Sequence, residues 1–153
     1  MPAGGKWGKS GKRGLWFFSI RIIIMPLKHR DACLQGAPGK TERFKEETTM
    51  AFVTLEQKGP VAVITMNRPE ALNALNDQVL RDLDAVLDQV EENEDILTVV
   101  LTGAGRSFVA GADIGQMSQL TAAQAKAFGV LGNRVFLKLE NLTKPTIAAV
   151  NGF

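Results

Sequence analysis

The chain predicts an α/β fold in which helices cross over between strands. Three observations carry that reading. Short apolar runs suited to strands recur four times after residue 50, an apolar stripe at spacings of three and four separates the second run from the third, and another helical stretch separates the third from the fourth. The order β-β-α-β-α-β is what a sheet with crossover helices requires.

Each element has its own signal. Phe52-Val53-Thr54-Leu55-Glu56 alternates apolar and polar residues, as a half-buried strand does. Gln57-Lys58-Gly59-Pro60 marks a turn, and Val61-Ala62-Val63-Ile64-Thr65-Met66 reads as the second arm of a hairpin. Pro69 breaks the stretch 67–75 into a loop or short helical turn. Asn76 or Asp77 can cap the helix that follows. There Val79, Leu80, Leu83, Val86, Leu87 and Val90 form one stripe, with Asp82, Asp84, Asp88, Glu91 and Glu92 expected on a solvated face. Residues 96–101 form a buried strand leading into a glycine-rich loop. Thr121 can cap the second helix, whose buried side would carry Ala125, Phe128, Leu131, Val135 and Leu139, with Gly129 and Gly132 weakening it. Lys144-Pro145 ends that helix, and residues 146–150 are a last buried strand.

Charge divides the chain. Residues 1–49 hold ten Lys/Arg against four Asp/Glu, a balance of +6, whereas residues 50–153 hold eight against twelve, a balance of −4. The segment 1–14 is rich in Gly and Lys, and 35–49 is polar, so neither builds a core and disorder is expected for both. The apolar stretch 15–27 is too short to span a bilayer and is interrupted by Arg21, which speaks against a membrane segment. Residues 1–49 are therefore expected to be a basic, disordered or spurious extension, with Met50 as a natural start, and residues 50–153 to be the folded unit. The lone Cys33 makes no internal disulfide, and the lone His29 lies far from any acidic cluster, which excludes a His-based metal site or a Ser/His/Asp triad within one copy.

The chemistry concentrates in Ser107-Phe108-Val109-Ala110-Gly111-Ala112-Asp113-Ile114, where small residues let a ligand approach the backbone closely. Three further stretches accompany it: residues 67–75, Asn-Arg-Pro-Glu-Ala-Leu-Asn-Ala-Leu; residues 99–103, Val-Val-Leu-Thr-Gly; and residues 144–153, Lys-Pro-Thr-Ile-Ala-Ala-Val-Asn-Gly-Phe. With all four in this order, residues 51–153 resemble the N-terminal portion of the enoyl-CoA hydratase/isomerase (crotonase) family. Residues 128–136 further resemble its bacterial short-chain members, the crotonases of butyrate-type metabolism and β-oxidation. The resemblance implies the first part of a crotonase-like spiral ββα fold. It also implies an acyl-CoA substrate, with no metal or redox cofactor, in a cytoplasmic enzyme whose full-length form is a homohexamer built as a dimer of trimers.

By that resemblance the Ala112 N–H is the first donor of an oxyanion hole. Adding water to an α,β-unsaturated thioester puts negative charge on the thioester oxygen, and one preorganised donor is worth about 2.7–4 kcal/mol. Ala110 and the backbone of Asp113, Ile114 and Gly115 would lie along CoA, as would the loop of Arg68 and Ala71. Arg68 could meet a phosphate or form a surface salt bridge, and Asp113 could serve as an acid or cap the turn beginning near Ile114, the cap being the common role. Glu70 stands where many family members have Lys, which removes a side-chain CoA contact. The second oxyanion donor and two catalytic glutamates are expected beyond Phe153 in the family pattern, so the chain alone is expected to be inactive.

The leading reading is thus a fragment of a short-chain enoyl-CoA hydratase, converting trans-2-enoyl-CoA to 3-hydroxyacyl-CoA. Enoyl-CoA isomerisation and a non-catalytic CoA-binding or assembly module are the alternatives. Nucleic-acid binding through the basic segment is a weaker reading than a solvated or artefactual tail, and the acidic helix expected at residues 77–93 argues against RNA binding through a lysine-rich helix of the kind one branch of the family uses. Gly103-Ala104-Gly105 is not a dinucleotide loop, because Phe108 replaces the third glycine.

Overall fold

A computed structural model describes residues 47–152. The basic segment before them lies outside the described residues, together with the stretch 15–27, His29 and Cys33, and so does Phe153. Five strands form one sheet whose spatial order follows the chain: β1 (Glu47–Thr49), β2 (Val53–Lys58), β3 (Val61–Met66), β4 (Thr98–Gly103) and β5 (Thr146–Ala148). β1, β2 and β3 pair antiparallel, while β3–β4 and β4–β5 pair parallel. The two parallel connections are the helices α1 (Asp77–Glu92) and α3 (Ala122–Glu140), and a single turn, α2 (Ile114–Met117), precedes α3.

One face of the sheet carries the core. Val53, Leu55, Ala62, Ile64, Met66, Val99 and Leu101 are buried there against Val79, Leu80, Leu83, Val86, Leu87 and Val90 of α1. The opposite face, with Val63, Thr65, Val100, Thr102 and Ile147, is half-buried. α3 packs mainly on α1, burying Leu131 and Val135. Asn76 caps α1 by accepting from the Val79 N–H at 2.8 Å, and Thr121 and Gln124 form a reciprocal capping box on α3. At the other end of α1, the Lys144 ammonium donates to the carbonyls of Val90 and Asn93, satisfying acceptors that a helix terminus leaves open.

Several expectations shift. Polar residues 35–49 were expected to be disordered throughout, yet Glu47–Thr49 pair with β2, because an edge strand needs only backbone partners. The strand expected at 52–56 starts one residue later, since the Phe52 N–H donates to Asp82 at 2.9 Å instead of joining the ladder. Asp82 itself is buried, contrary to the solvated face expected for it; it also accepts from Gln78 at 2.7 Å. The strand expected at 96–101 begins at Thr98, with Ile96 buried in the preceding turn and its N–H bonded to Asn93 O. The last strand ends at Ala148, two residues early. On α3, Ala125 is exposed and Phe128 only half-buried, because the first turns of α3 run past the end of the layer beneath; Leu139, in the last turn, is half-buried too.

Candidate active site

Parallel strands β3, β4 and β5 bring their carboxyl ends together, where open α/β sheets commonly bind ligands. Three loops leave there: residues 67–76, residues 104–113 and residues 149–152. All the sequence-predicted site residues lie in the first two loops and the α2 turn they lead into.

The loops are tied by buried polar groups. Asn73, 1% exposed and in the left-handed conformation at φ 57°, accepts from the Arg68 N–H at 2.8 Å. Its amide donates to Ala104 O at 3.0 Å and Ser107 O at 2.7 Å, so one side chain spans both loops. Asn151 does the same from the third loop. Its amide accepts from the Gly103 N–H at 3.1 Å and donates to Gly103 O at 2.7 Å, continuing β4–β5 pairing with a side chain. Gly103 has no room for a side chain, since a Cβ there would stand 2.3 Å from Ser107 O and 2.5 Å from Phe108 O. Neither asparagine was singled out from the sequence as a positioning group. The available signal was an Asn in a proline-broken loop, where Asn tolerates the left-handed region better than most residues.

Past Asn73 the two loops run side by side. Ala110 N–H donates to Leu72 O at 3.1 Å, Leu75 N–H to Gly111 O at 2.8 Å, and Asp113 N–H to Leu75 O at 2.8 Å. Leu75 and Ala112 form a parallel bridge in this register. Both bonds of that bridge belong to Leu75, so the N–H and carbonyl of Ala112 face the other way. Among the described residues the Ala112 N–H has no hydrogen-bond partner, and Ala110, Gly111 and Ala112 are all exposed. Gly111 adopts φ 128°, which L-residues avoid, and a Cβ on it would meet nothing within 4 Å. The result is a free backbone donor on an open surface, flanked by the exposed apolar side chains Ile114 and Met117.

Asp113 caps α2, its Oδ1 accepting from the Gln116 N–H at 3.0 Å. Its Oδ2 accepts from Arg68 Nη1 at 2.7 Å. The Arg68 hydrogen bond, together with that Gln116 N–H, holds the carboxyl below the usual carboxylate range. A carboxylate so occupied is a poor proton carrier. Gln116 in turn accepts from the Asp77 N–H at 3.0 Å, joining α2 to the start of α1. Ala71 lies half-buried in the 3-10 turn Pro69–Ala71, and Gly115 is exposed on α2. Beyond Gln116, a groove of about 520 Å³ opens between α1, α2 and α3, lined in part by Leu120, Phe128 and Leu131. Among the described residues no cluster of three or more His, Cys, Asp or Glu could hold a metal, and no helix is long and apolar enough to cross a membrane.

Residues 56–153 match the family model of enoyl-CoA hydratase/isomerase. The chain is 55% identical over 102 residues to a short-chain-enoyl-CoA hydratase of Clostridium acetobutylicum, covering 66% of this chain and 39% of that protein. It is 44% identical over 102 residues to a crotonyl-CoA hydratase of Syntrophomonas wolfei, with the same 66% and 39% coverage. Among solved structures, an enoyl-CoA hydratase/carnithine racemase from Magnetospirillum magneticum superposes with a TM-score of 0.65 at 34% identity, covering 68% of this chain and 40% of that one. The chain thus spans about two fifths of the length of the curated relatives it matches.

Proposed function

Because the chain belongs to the enoyl-CoA hydratase/isomerase family, we propose that residues 50–153 supply the first half of a CoA-thioester site, in a protein that adds water to short trans-2-enoyl-CoA. The observation that carries this reading is the Leu75–Ala112 bridge, whose register turns the Ala112 N–H outward with no partner among the described residues. That N–H is the first donor to the thioester oxygen. Negative charge develops on this oxygen when water adds, so a donor fixed in advance favours the transition state over the ground state. The stretch from Ala110 to Gly115, exposed except at half-buried Asp113, receives the pantetheine and adenine portions of CoA, with Arg68 and Ala71 in the adjoining loop.

The proton transfers belong to other groups than Asp113, both of whose oxygens are engaged. In this reading the whole protein is a hydratase with no metal or redox cofactor, cytoplasmic, assembled as a homohexamer, and serving β-oxidation or butyrate-type metabolism. Residues 1–49 are a basic extension, of which Glu47–Thr49 join the sheet. Neither nucleic acid nor membrane is a partner, and acidic side chains along the exposed side of α1, such as Asp88, Glu91 and Glu92, support the first exclusion. Hydration is preferred to isomerisation because the relatives at 55% and 44% identity are named hydratases, whereas the 1,2-epoxyphenylacetyl-CoA isomerase of Escherichia coli stands at 37%.

The test is calorimetric titration of the 153-residue chain with crotonyl-CoA, alongside an assay for its hydration. Saturable binding without turnover is expected. Absence of binding overturns the assignment of the Ala112 site, and turnover by this chain overturns the assignment of the proton transfers to groups outside it.

A further inference from the structure

The short ladder that aims the Ala112 N–H is exposed along Ala110, Gly111 and Ala112 and only half-buried at Leu72, Leu75 and Asp113, and backbone hydrogen bonds so near solvent open readily unless something else holds them. Asn73 anchors one end of it from the interior. At the other end, Arg68 crosses from the first loop to the second. Its Nη1 donates both to Asp113 Oδ2 at 2.7 Å and to Ala74 O at 3.2 Å. The guanidinium lies 5.6 Å from the centre of the Phe52 ring, and the side chain is 19% exposed. Glu70 Oε1 stands 3.7 Å from its Nε, so two carboxylates already flank this cation.

We propose that Arg68 and Asp113 are positioning residues that lock the Leu75–Ala112 bridge and so fix the direction of the Ala112 N–H, the Arg68 cation being committed to the protein and not to a ligand phosphate. This rests on the reading of Ala112 given above. Two neighbouring carboxylates make an incoming phosphate an unfavourable additional ligand, while the bridge lies directly between Ala74 and Asp113, the two groups that Arg68 holds. Each hydrogen bond that Arg68 makes in the lock links the two loops or lies within the first, so losing it frees the ladder and leaves the hydrogen bonds of the sheet in place.

The experiment uses the 153-residue chain as wild type, Arg68→Met, Asp113→Asn and the double variant. Asn keeps the cap acceptor for Gln116, so Asp113→Asn disturbs only the ion pair, whereas Arg68→Met removes the ion pair, the bond to Ala74 O and the cation over the Phe52 ring together. Amide hydrogen exchange, read by NMR without ligand, is expected to speed up at least tenfold at Leu75 and Asp113 in each single variant, with Ile64 and Leu101 unchanged. The double variant is expected to be no worse than the more affected single one, as for two halves of one contact. Unchanged exchange at Leu75 and Asp113, or an equal rise throughout β2 to β4, overturns the proposal. Binding of butyryl-CoA and of phosphate-free butyryl-pantetheine is then compared. Both are expected to weaken by the same factor, threefold or more, in Arg68→Met. A loss confined to butyryl-CoA makes Arg68 a phosphate contact and also overturns it. If the wild-type chain binds neither thioester, the Ala112 reading fails, while the exchange data still decide the lock.

Discussion

The two crossover helices are built alike and buried differently. α1, with 16 residues, buries seven of them, including Asp82; α3, with 19, buries only Leu131 and Val135. Val130, Phe136 and Leu137 on α3 remain 60%, 46% and 56% exposed. The difference comes from what each helix lies on. α1 rests on the sheet, whose apolar face is wide enough to cover its whole stripe, whereas α3 rests mainly on α1. The contact between the helices is also partly ionic: Arg134 and Lys138 of α3 pair with Asp84, and Lys138 reaches Asp88 at 2.9 Å. An apolar residue in a helix is therefore buried only as far as the next layer extends, and the two helices differ in the layer beneath them more than in their own patterns.

The same substitution in both helices tests this most strongly. Leu83→Ala removes a side chain that is 1% exposed at the centre of the α1–sheet contact, and should destabilise by about 2–5 kcal/mol in urea unfolding. Leu131→Ala, at 8% exposed, should fall at or below the bottom of that range, about 2 kcal/mol, because the loosely covered side of α3 can collapse into the gap. Equal costs would mean that α3 is as deeply held as α1, and the contrast would fail.

A next-smaller effect is expected in the loops that α1 and β4 support. Asn73→Ala takes an acceptor from the Arg68 N–H and a donor from the Ala104 and Ser107 carbonyls, at a cost of about 1–3 kcal/mol in all, since Arg68 and Ala104 are half-buried and water can reach them. Asn73→Asp distinguishes bonding from shape. It keeps the acceptor and the left-handed preference but presents a carboxylate to two carbonyls, and it should be no better than Ala. Rescue by Asp would show that only the Arg68 bond matters.

How much of this was legible follows from the kind of signal involved. The alternation of Val61–Met66 and the stripe from Val79 to Val90 depend only on residue periodicity, and both elements stand where periodicity places them. The small residues around Ala112 leave its backbone uncovered because bulk is absent there, and the structure turns that N–H outward. Asp82 was misplaced on a solvated face because its burial depends on the Phe52 N–H, 30 residues away, which no helical wheel contains. Asn73 and Asn151 were passed over for a similar reason, since an asparagine that joins loops looks, in sequence, like any polar loop residue. Ala125 was misplaced because the stripe of α3 continues beyond the end of the layer under it.

The ionic seam between the helices should contribute less than either core or loop. Burial alone would raise the Asp84 carboxyl, but Lys138 and Arg134 hold it below its ordinary value; burial alone would lower Lys138, but Asp84 and Asp88 hold it above. A depressed carboxylate stabilises above its unfolded pKa of about 3.9, and that contribution is lost as pH falls through the lower folded value. A raised ammonium stabilises below about pH 10.4, and that contribution is lost as pH rises through the higher folded value. Lys138→Met should therefore cost about 0.5–1 kcal/mol, constant between roughly pH 5 and 9, with the gap from wild type narrowing at both extremes. A gap that changes inside that window would place the seam's charge elsewhere.

The smallest effect is the sharpest on the contrast itself. Leu137 is a large apolar residue in the last turn of α3, off the stripe that the sequence assigns to the buried side of that helix. At 56% exposed, its replacement by lysine should change stability by no more than about 0.5 kcal/mol in either direction, since lysine keeps the helix propensity and the alkyl stem. Leu87→Lys, the matching change on α1, would bury an ammonium among Val53, Ile64 and Val99, and should leave little folded protein. A loss above about 1 kcal/mol for Leu137→Lys, independent of protein concentration, would mean that residues of this chain cover the outer side of α3. A loss that appears only at high concentration would put a second copy there instead, because an assembly's contribution to stability grows with concentration and an intramolecular one does not.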